Sequence, residues 1–393
     1  MKIIFNTGVF GKHGIENALV NLLLELPVNE HEYILHNIFQ LDQKSPLLNA
    51  IEQIVTQDCS LPRSTFWGGL HMNRKKSIFH KLLDSLGLLK IHKLIANNIN
   101  QHQADVVVDY DLSLLRSAHL ISAPKIGFFH FRPKRFRNGG VNKLRRIGKR
   151  LKHYQLLVVL CDEMLQEACE IWPDLKSVFV VLPNSIHCDK LLNISKNSFS
   201  LPTSVELNKY FITIARLTHQ KNIDLLLRSY KTAKDLGCSW PLVIAGEGED
   251  KIKLVELCNE LSITENIHFL GYQSNPHTYL ANAGTFVMSS REEGFPVSLL
   301  EAMVLGCPII SLACPTGPTD ILKNGKLGKL VTFTEDNPSE LGLAMYELSR
   351  NSALRNEYAL NDKYAKDYSS DAIAKNFMTL INNLVSGNQT SKL

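Results

Sequence analysis

Thr285-Phe-Val-Met288 is a short apolar run, and a polar turn carrying Gly294 and Pro296 follows it. Leu299, Leu300, Met303 and Val304 then fall on one helical face that Gly306 stops. Strand, tight loop and helix in that order are the unit from which α/β folds are built. Two carboxylates frame the turn: Glu293 stands just before the helix and Glu301 within its second turn. The unpaired amides of a helix start make a site for a phosphate anion. A nucleotide sugar suits this arrangement, with its diphosphate on the amides, one carboxylate accepting from sugar hydroxyls and the other from the ribose diol. The plainer reading of the same spacing is an exposed helix with two ordinary surface acids.

The stretch Ser289-Ser-Arg-Glu-Glu-Gly-Phe-Pro-Val-Ser-Leu-Leu-Glu301 resembles the E-x7-E element of the retaining glycosyltransferases of family 4, which adopt the GT-B fold. The resemblance assigns Glu293 to the donor sugar and Glu301 to the ribose, with Gly294, Phe295 and Pro296 in the turn between them. Upstream, the loop Arg216-Leu-Thr-His-Gln-Lys221 between a strand and a helix resembles the family's R-x4-K element, in which arginine and lysine bind the diphosphate. The chemistry agrees, because a guanidinium and an ammonium stabilise the charge that gathers on a departing nucleoside diphosphate without a metal ion. Surface cations beside a helix start would otherwise be disfavoured by the helix dipole. Cys314-Pro-Thr-Gly-Pro-Thr-Asp320-Ile321 resembles the family's P-x-G-P-x-E-I, with aspartate for the commoner glutamate. Tyr272, after the run Ile267 to Leu270, stands where similar proteins meet the base.

The 393 residues suit two domains of moderate size. A hydrophobic share of 45% and a charged share of 21% are those of an ordinary globular protein. The eight cysteines form no C-x-x-C pair and no zinc-like spacing, which points to a reducing compartment. No run approaches the roughly 18 apolar residues of a membrane span, and the opening Met-Lys-Ile-Ile-Phe reads as a first strand rather than a signal peptide. Residues 1–200 hold 25 Lys and Arg against 17 Asp and Glu, a net of +8, while residues 201–393 are net −3.

Lys2 to Asn6 reads as a buried strand, followed by the loop Gly8-Val-Phe-Gly-Lys-His-Gly14 and a helix from Glu16 to about Leu26. The loop lacks the G-x-G-x-x-G of a dinucleotide site, and the second strand, Tyr33 to Leu35, ends without an acid. His13-Gly14-Ile15-Glu16 resembles the family's G-G-x-E without its first glycine; in the family this loop lies over the donor phosphates and the acceptor, which makes Gly14 a candidate there. The pattern is equally that of a simple strand-to-helix turn. Residues 40–100 carry little strand signal, and Arg74-Lys75-Lys76 opens a helical region. Asp109-Tyr110-Asp111 closes the next strand. A D-x-D can hold a divalent metal on a diphosphate, but two acids closing a strand are commonplace and the family resemblance implies a metal-independent site. His130 ends the strand Lys125 to Phe129 at the edge where α/β folds bind ligands. The resemblance makes it a contact of the donor sugar, and a loop-bonded histidine is the alternative.

Arg132 to Lys152 contains ten Lys or Arg and no acid, with Val141, Leu144, Ile147 and Leu151 on one helical face. A basic amphipathic helix lies on an anionic membrane surface or holds a phosphorylated acceptor. A plain solvated face is the alternative, and nucleic acid is disfavoured by the lack of interleaved aromatics. From Ser185 to about Leu207 the chain turns polar, as an interdomain linker does.

The resemblance thus implies an α/β GT-B chain of two Rossmann-like domains with a donor/acceptor cleft between them. Residues 1–190, joined by a last helix at about 370–393, would bind the acceptor, and residues 205–368 the nucleotide sugar. It implies a metal-independent hexosyltransferase, without cofactor, that moves a hexose or N-acetylhexosamine with retention from a UDP-sugar to a lipid-linked, lipopolysaccharide or polysaccharide acceptor. The expected place is peripheral, on the cytoplasmic face of the inner membrane. Arg216, Lys221, Glu293 and His130 would act on the donor during transfer. A sugar-nucleotide epimerase of the same fold and a non-catalytic basic-surface module are the rival readings.

Overall fold

The computed structural model describes residues 1–8, 14–39, 46–61, 78–333, 338–359 and 362–387. It divides into two compact units, Met1–Asn184 with Ser370–Leu393, and Ser185–Ser369. The loop residues 9–13, including His13, and the Arg74-Lys75-Lys76 run lie outside the described residues.

The N-terminal unit is built on seven parallel strands: β1 (Lys2–Thr7), β2 (Glu32–Phe39), β3 (Val55–Leu61), β4 (Val106–Asp109), β5 (Lys125–Phe129), β6 (Leu156–Val159) and β7 (Phe179–Val181). Their order is β3-β2-β1-β4-β5-β6-β7. Successive residues point to opposite faces. Ile3, Phe5, Val106 and Val108 pack with Leu19 and Leu23 of the helix Gly14–Leu23 and with Ile373 and Phe377 of the last helix, Ser370–Val385. Ile4 and Val107 pack the other way, with Ile95, Ala96 and Ile99 of the helix Ile78–Gln101. Both faces are covered, which is why these strands are apolar runs rather than alternating ones.

β3 departs from the expectation of little strand signal between residues 40 and 100. Its sequence, Val-Thr-Gln-Asp-Cys-Ser-Leu, is polar because it is an edge strand with one neighbour, β2. Helix Cys188–Ile194 likewise interrupts the stretch read as a linker. In the basic helix Gly140–Leu151, Ile147 and Leu151 are buried as expected, but Val141 is 72% exposed.

The C-terminal unit has six parallel strands: β8 (Phe211–Ile214), β9 (Leu242–Ala245), β10 (Ile267–Gly271), β11 (Thr285–Met288), β12 (Ile309–Leu312) and β13 (Lys329–Val331). They run in the order β10-β9-β8-β11-β12-β13. Phe211, Leu242, Ile244, Val287 and Ile310 pack under the helices Ile223–Asp235, Lys251–Glu260 and Ser339–Arg350 through Leu226, Tyr230, Leu254 and Met345. All loops after strand carboxyl ends leave one edge of this sheet, where open α/β sheets bind ligands.

Candidate active site

In the C-terminal unit, the loops after β8, β9 and β10 are tied to one another by main-chain bonds. Leu217 N donates to Glu247 O over 2.9 Å, Asp250 N to Leu217 O over 3.1 Å, and Gly246 N to Gly271 O over 2.8 Å. Gly246 has φ +147°, and a Cβ there would lie 1.9 Å from the Ala215 carbonyl oxygen, so no other residue lets the β9 turn approach this closely. The packing fixes the loop 216–221. Arg216 is exposed on it, and among the described residues its guanidinium has no ion-pair partner.

The loop after β11 folds onto the same loop. Arg291 N donates to Gln220 O over 2.9 Å, Gln220 Nε2 to Glu292 O over 3.0 Å, and Ser289 Oγ to Lys221 O over 3.0 Å. Glu293 is held from the other side as well: its amide donates to Pro315 O over 3.1 Å, and the Thr316 hydroxyl donates to its carbonyl. Gly317, with φ +102°, brings this loop against Pro296, whose Cδ would lie 2.6 Å from an added Cβ. The P-x-G-P-like run is thus the floor under the turn Gly294-Phe295-Pro296. The helix Val297–Val304 begins after Pro296 with no side-chain cap; of its first amides, that of Leu299 donates to Pro296 O over 3.0 Å.

Lys221 Nζ lies 2.6 Å from Glu293 Oε1, with side chains 22% and 8% exposed. The sequence reading gave these two residues separate tasks; the structure joins them as one ion pair. Glu301 Oε1 lies 3.2 Å from His277 Nε2, on the short helix His277–Ala281. Sequence reasoning missed His277, since no spacing rule links it to a carboxylate 24 residues away. It also missed Asn222, which follows Lys221 in a left-handed conformation at φ +56°. Asn222 is fully buried, does not cap the following helix, and leaves both amide atoms without a partner among the described residues. His277 Nδ1 and Arg291 Nε likewise have none among the described residues, although the Arg291 guanidinium reaches Asp224 at 3.6 Å. Orphaned polar atoms cost about 1–3 kcal/mol each; Asn222 follows Lys221, Arg291 stands on the loop after β11, and His277 faces Glu301. Tyr272 stands after β10 with its side chain 72% exposed.

In the N-terminal unit, Gly14 opens its helix, and among the described residues a Cβ there would meet nothing within 4 Å. His130 is buried between Tyr110, at 4.6 Å between ring centroids, and Phe128, stacked at 5.9 Å and 13°. Burial pulls its imidazole down to about 4, with a hydrogen bond at the Tyr110 backbone acting the other way, so the ring is neutral near pH 7. Its Nε2 has no partner among the described residues. Asp109 and Asp111 are engaged inside the unit. Asp109 accepts from Tyr154 Oη at 2.6 Å, Asn6 Nδ2 at 3.2 Å and the Leu114 amide at 3.1 Å; Asp111 accepts from the amides of Gly8 at 2.8 Å and Ser113 at 3.0 Å. Burial, reinforced by Asp111, pushes Asp109 up to about 7. These two carboxylates fasten the start of the glycine loop.

Residues 197–365 match the family model described as Glycosyl transferases group 1, which covers the whole cluster built by Arg216, Lys221, Glu293 and Glu301. The chain is 35% identical over 173 residues to an uncharacterized glycosyltransferase of Methanocaldococcus jannaschii, covering 44% of this chain and 43% of that protein. It is 30% identical over 211 residues to the amylovoran biosynthesis glycosyltransferase AmsD of Erwinia amylovora, covering 53% and 57%. The chain therefore spans about half the length of these curated relatives. The solved structure of Anabaena Alr3699/HepE in complex with UDP and glucose aligns with a TM-score of 0.73 at 15% identity, over 98% of this chain and 100% of that one. The fold class is α/β, two parallel-sheet Rossmann-like domains matching the GT-B glycosyltransferases. Within that class the chain resembles glycosyltransferases of bacterial polysaccharide synthesis.

Proposed function

We propose that the chain is a retaining, metal-independent glycosyltransferase that moves a hexose or N-acetylhexosamine from a UDP-sugar to a lipid-linked, lipopolysaccharide or polysaccharide acceptor. The observation that carries this reading is the loop cluster of the C-terminal unit: Arg216 without an ion-pair partner, the Lys221–Glu293 pair, Glu301 held by His277, and an uncapped helix start. A diphosphate supplies the negative charge that Arg216 and the free amides are disposed to accept. Glu301 then accepts from the ribose diol, with His277 fixing its carboxylate. Glu293 accepts from sugar hydroxyls, and Lys221 Nζ, already on Glu293, has two more N–H donors for a phosphate oxygen. Charge gathering on the departing UDP is stabilised by these fixed donors, which need no reorganisation as it develops. The acceptor hydroxyl loses its proton to the departing phosphate, so no side-chain nucleophile is required. Exposed Tyr272 provides a ring for the base.

The relative named for amylovoran biosynthesis and the structure bound to UDP and glucose support the acceptor class and the donor. Gly14 is assigned to the donor phosphates and the acceptor, and His130 to the donor sugar, where the neutral ring acts as a hydrogen-bonding group rather than as a cation. The basic segment 132–152 suits an anionic membrane surface, and among the described residues no helix is long and apolar enough to cross a membrane. The place we assign is therefore peripheral, at the cytoplasmic face of the membrane.

Incubation with a panel of UDP- and GDP-sugars, with and without a bacterial membrane lipid extract, tests the reading. UDP release that requires the extract is the expected result. Interconversion of the sugar without release, or no turnover with any donor, would overturn it.

A further inference from the structure

Not all of the basic segment is alike. Arg132 and Lys134 pair with Glu167, Lys134 also reaches Glu170 at 3.6 Å, and Lys152 reaches Asp174 at 3.8 Å. Arg146 and Arg150, one helical turn apart, have no carboxylate partner among the described residues. Three other elements bring further basic groups to them. Arg116 and His119 come from the connection between β4 and β5, His153 from the turn after the basic helix, and His92 from the helix Ile78–Gln101. The His119 and His153 rings stand 5.8 Å apart, and His92 Nδ1 lies 3.1 Å from Ser117 Oγ, beside Arg116.

The electrostatics agree that these groups crowd one another. Burial first, then Arg116, Arg150 and His119, lower the His92 imidazole below its ordinary value. Burial, then His119 and Lys125, do the same to His153, and burial, then Arg116 and Arg146, to Arg150. Lys125 itself is turned away, its amine donating to the carbonyls of Ile121 and Ala123. No carboxylate among the described residues pairs with any of the six groups. Three guanidiniums, Arg116, Arg146 and Arg150, crowded together without a carboxylate are unfavourable until an anion joins them, and an anion there would also favour protonation of the neighbouring imidazoles. Its position is also distinct. His119 and His153 precede β5 and β6, whereas His130 and the Gly8 loop follow β5 and β1, so the cluster lies toward the opposite end of the parallel strands from the edge where such sheets bind substrates.

We propose that His92, Arg116, His119, Arg146, Arg150 and His153 form a second anion site, on the N-terminal unit, that takes a phosphate group, either free or on a phospholipid headgroup. It is separate from the donor site and does not rest on the reading of that site.

The test uses the full chain labelled at its histidines, titrated with inorganic phosphate and, separately, with sodium chloride at matched ionic strength. The signals of His92, His119 and His153 are expected to move saturably with phosphate and not with chloride. The shift is expected to vanish in the double variant Arg116→Gln/Arg150→Gln and to persist in Arg216→Gln, which separates this site from the donor site. Co-sedimentation with phosphatidylglycerol and phosphatidylcholine vesicles identifies the source. If the phosphate is a headgroup, the double variant loses roughly thirty-fold in binding to the anionic vesicles; if vesicle binding is unchanged while free phosphate still shifts the histidines, the ligand is soluble. No saturable shift together with unchanged vesicle binding, or a shift reproduced by chloride, would overturn the proposal.

Discussion

At the scale of single residues, the Lys221–Glu293 pair and the buried titratable groups make the sharpest predictions. Glu293 is 8% exposed, so Lys221→Ala leaves a nearly buried carboxylate without its cation. Because Lys221 retains some exposure, a loss of about 1–3 kcal/mol in urea unfolding is expected, smaller than for a fully buried pair. Glu293→Gln in the same chain should restore part of it, and additive losses would show that the pair does not act as a unit. The pH dependence follows from three groups of the N-terminal unit. His36, hydrogen-bonded to Asn6 and Ser60, is lowered to about 4 chiefly by burial, as is His130. Each binds its proton more readily when unfolded, so the stability each provides is full above about pH 6.5 and is lost as the pH falls towards 4. Asp109, raised to about 7, has the opposite sign: its contribution is present below about pH 4 and is lost as the pH rises towards 7. Taken by themselves, two imidazoles against one carboxyl leave stability rising with pH between 4.5 and 6.5, by about 1.4 kcal/mol per pH unit, and the lowered His92, His153 and His268 add in the same direction. His130→Phe should flatten that rise, measured by urea unfolding at pH 5 and 6.5; an unaltered slope would refute the assignment.

Among elements, the two glycines with opposite surroundings are informative. Gly246→Ala forces a Cβ into the Ala215 carbonyl at a φ that side chains rarely adopt, and should cost at least about 1–3 kcal/mol while displacing the Arg216 loop. Gly14→Ala meets nothing among the described residues, so stability should hold or rise by about 0.5–1 kcal/mol. Acceptor-dependent turnover should nevertheless fall if the backbone there approaches a substrate; full activity with unchanged KM would remove Gly14 from the site. Elements were legible where their sequence met their burial. The apolar strands after residue 100 could be read because both faces are covered, and the helix Ile223–Asp235 because Leu225, Leu226, Tyr230 and Ala233 repeat at its period. β3 was not, since an edge strand need not be apolar. The helix Cys188–Ile194 was hidden by its polar flanks, and Val141 was read as inward because periodicity fixes a face but not how far its burial extends.

For the whole molecule, the alternation of apolar run, turn and helix pointed to two α/β units, and the ordered set Arg216, Lys221, Glu293 and Glu301 falls wholly in the unit that the glycosyl transferases group 1 model matches. What linear order could not show is how side chains from separate loops meet. The Lys221–Glu293 pair spans 72 residues, and His277 reaches Glu301 from another strand's connection. The orphaned amide of Asn222 is visible only once its surroundings are closed around it. The central claim is that these loops form a nucleoside diphosphate site, and calorimetric titration of UDP into the full chain tests it most directly. Saturable binding is expected, weakened by roughly ten- to a hundred-fold in Arg216→Gln and in Glu301→Ala, the value of one charged hydrogen bond. Absence of binding to the folded wild-type chain, or the same affinity in all three proteins, would contradict the account.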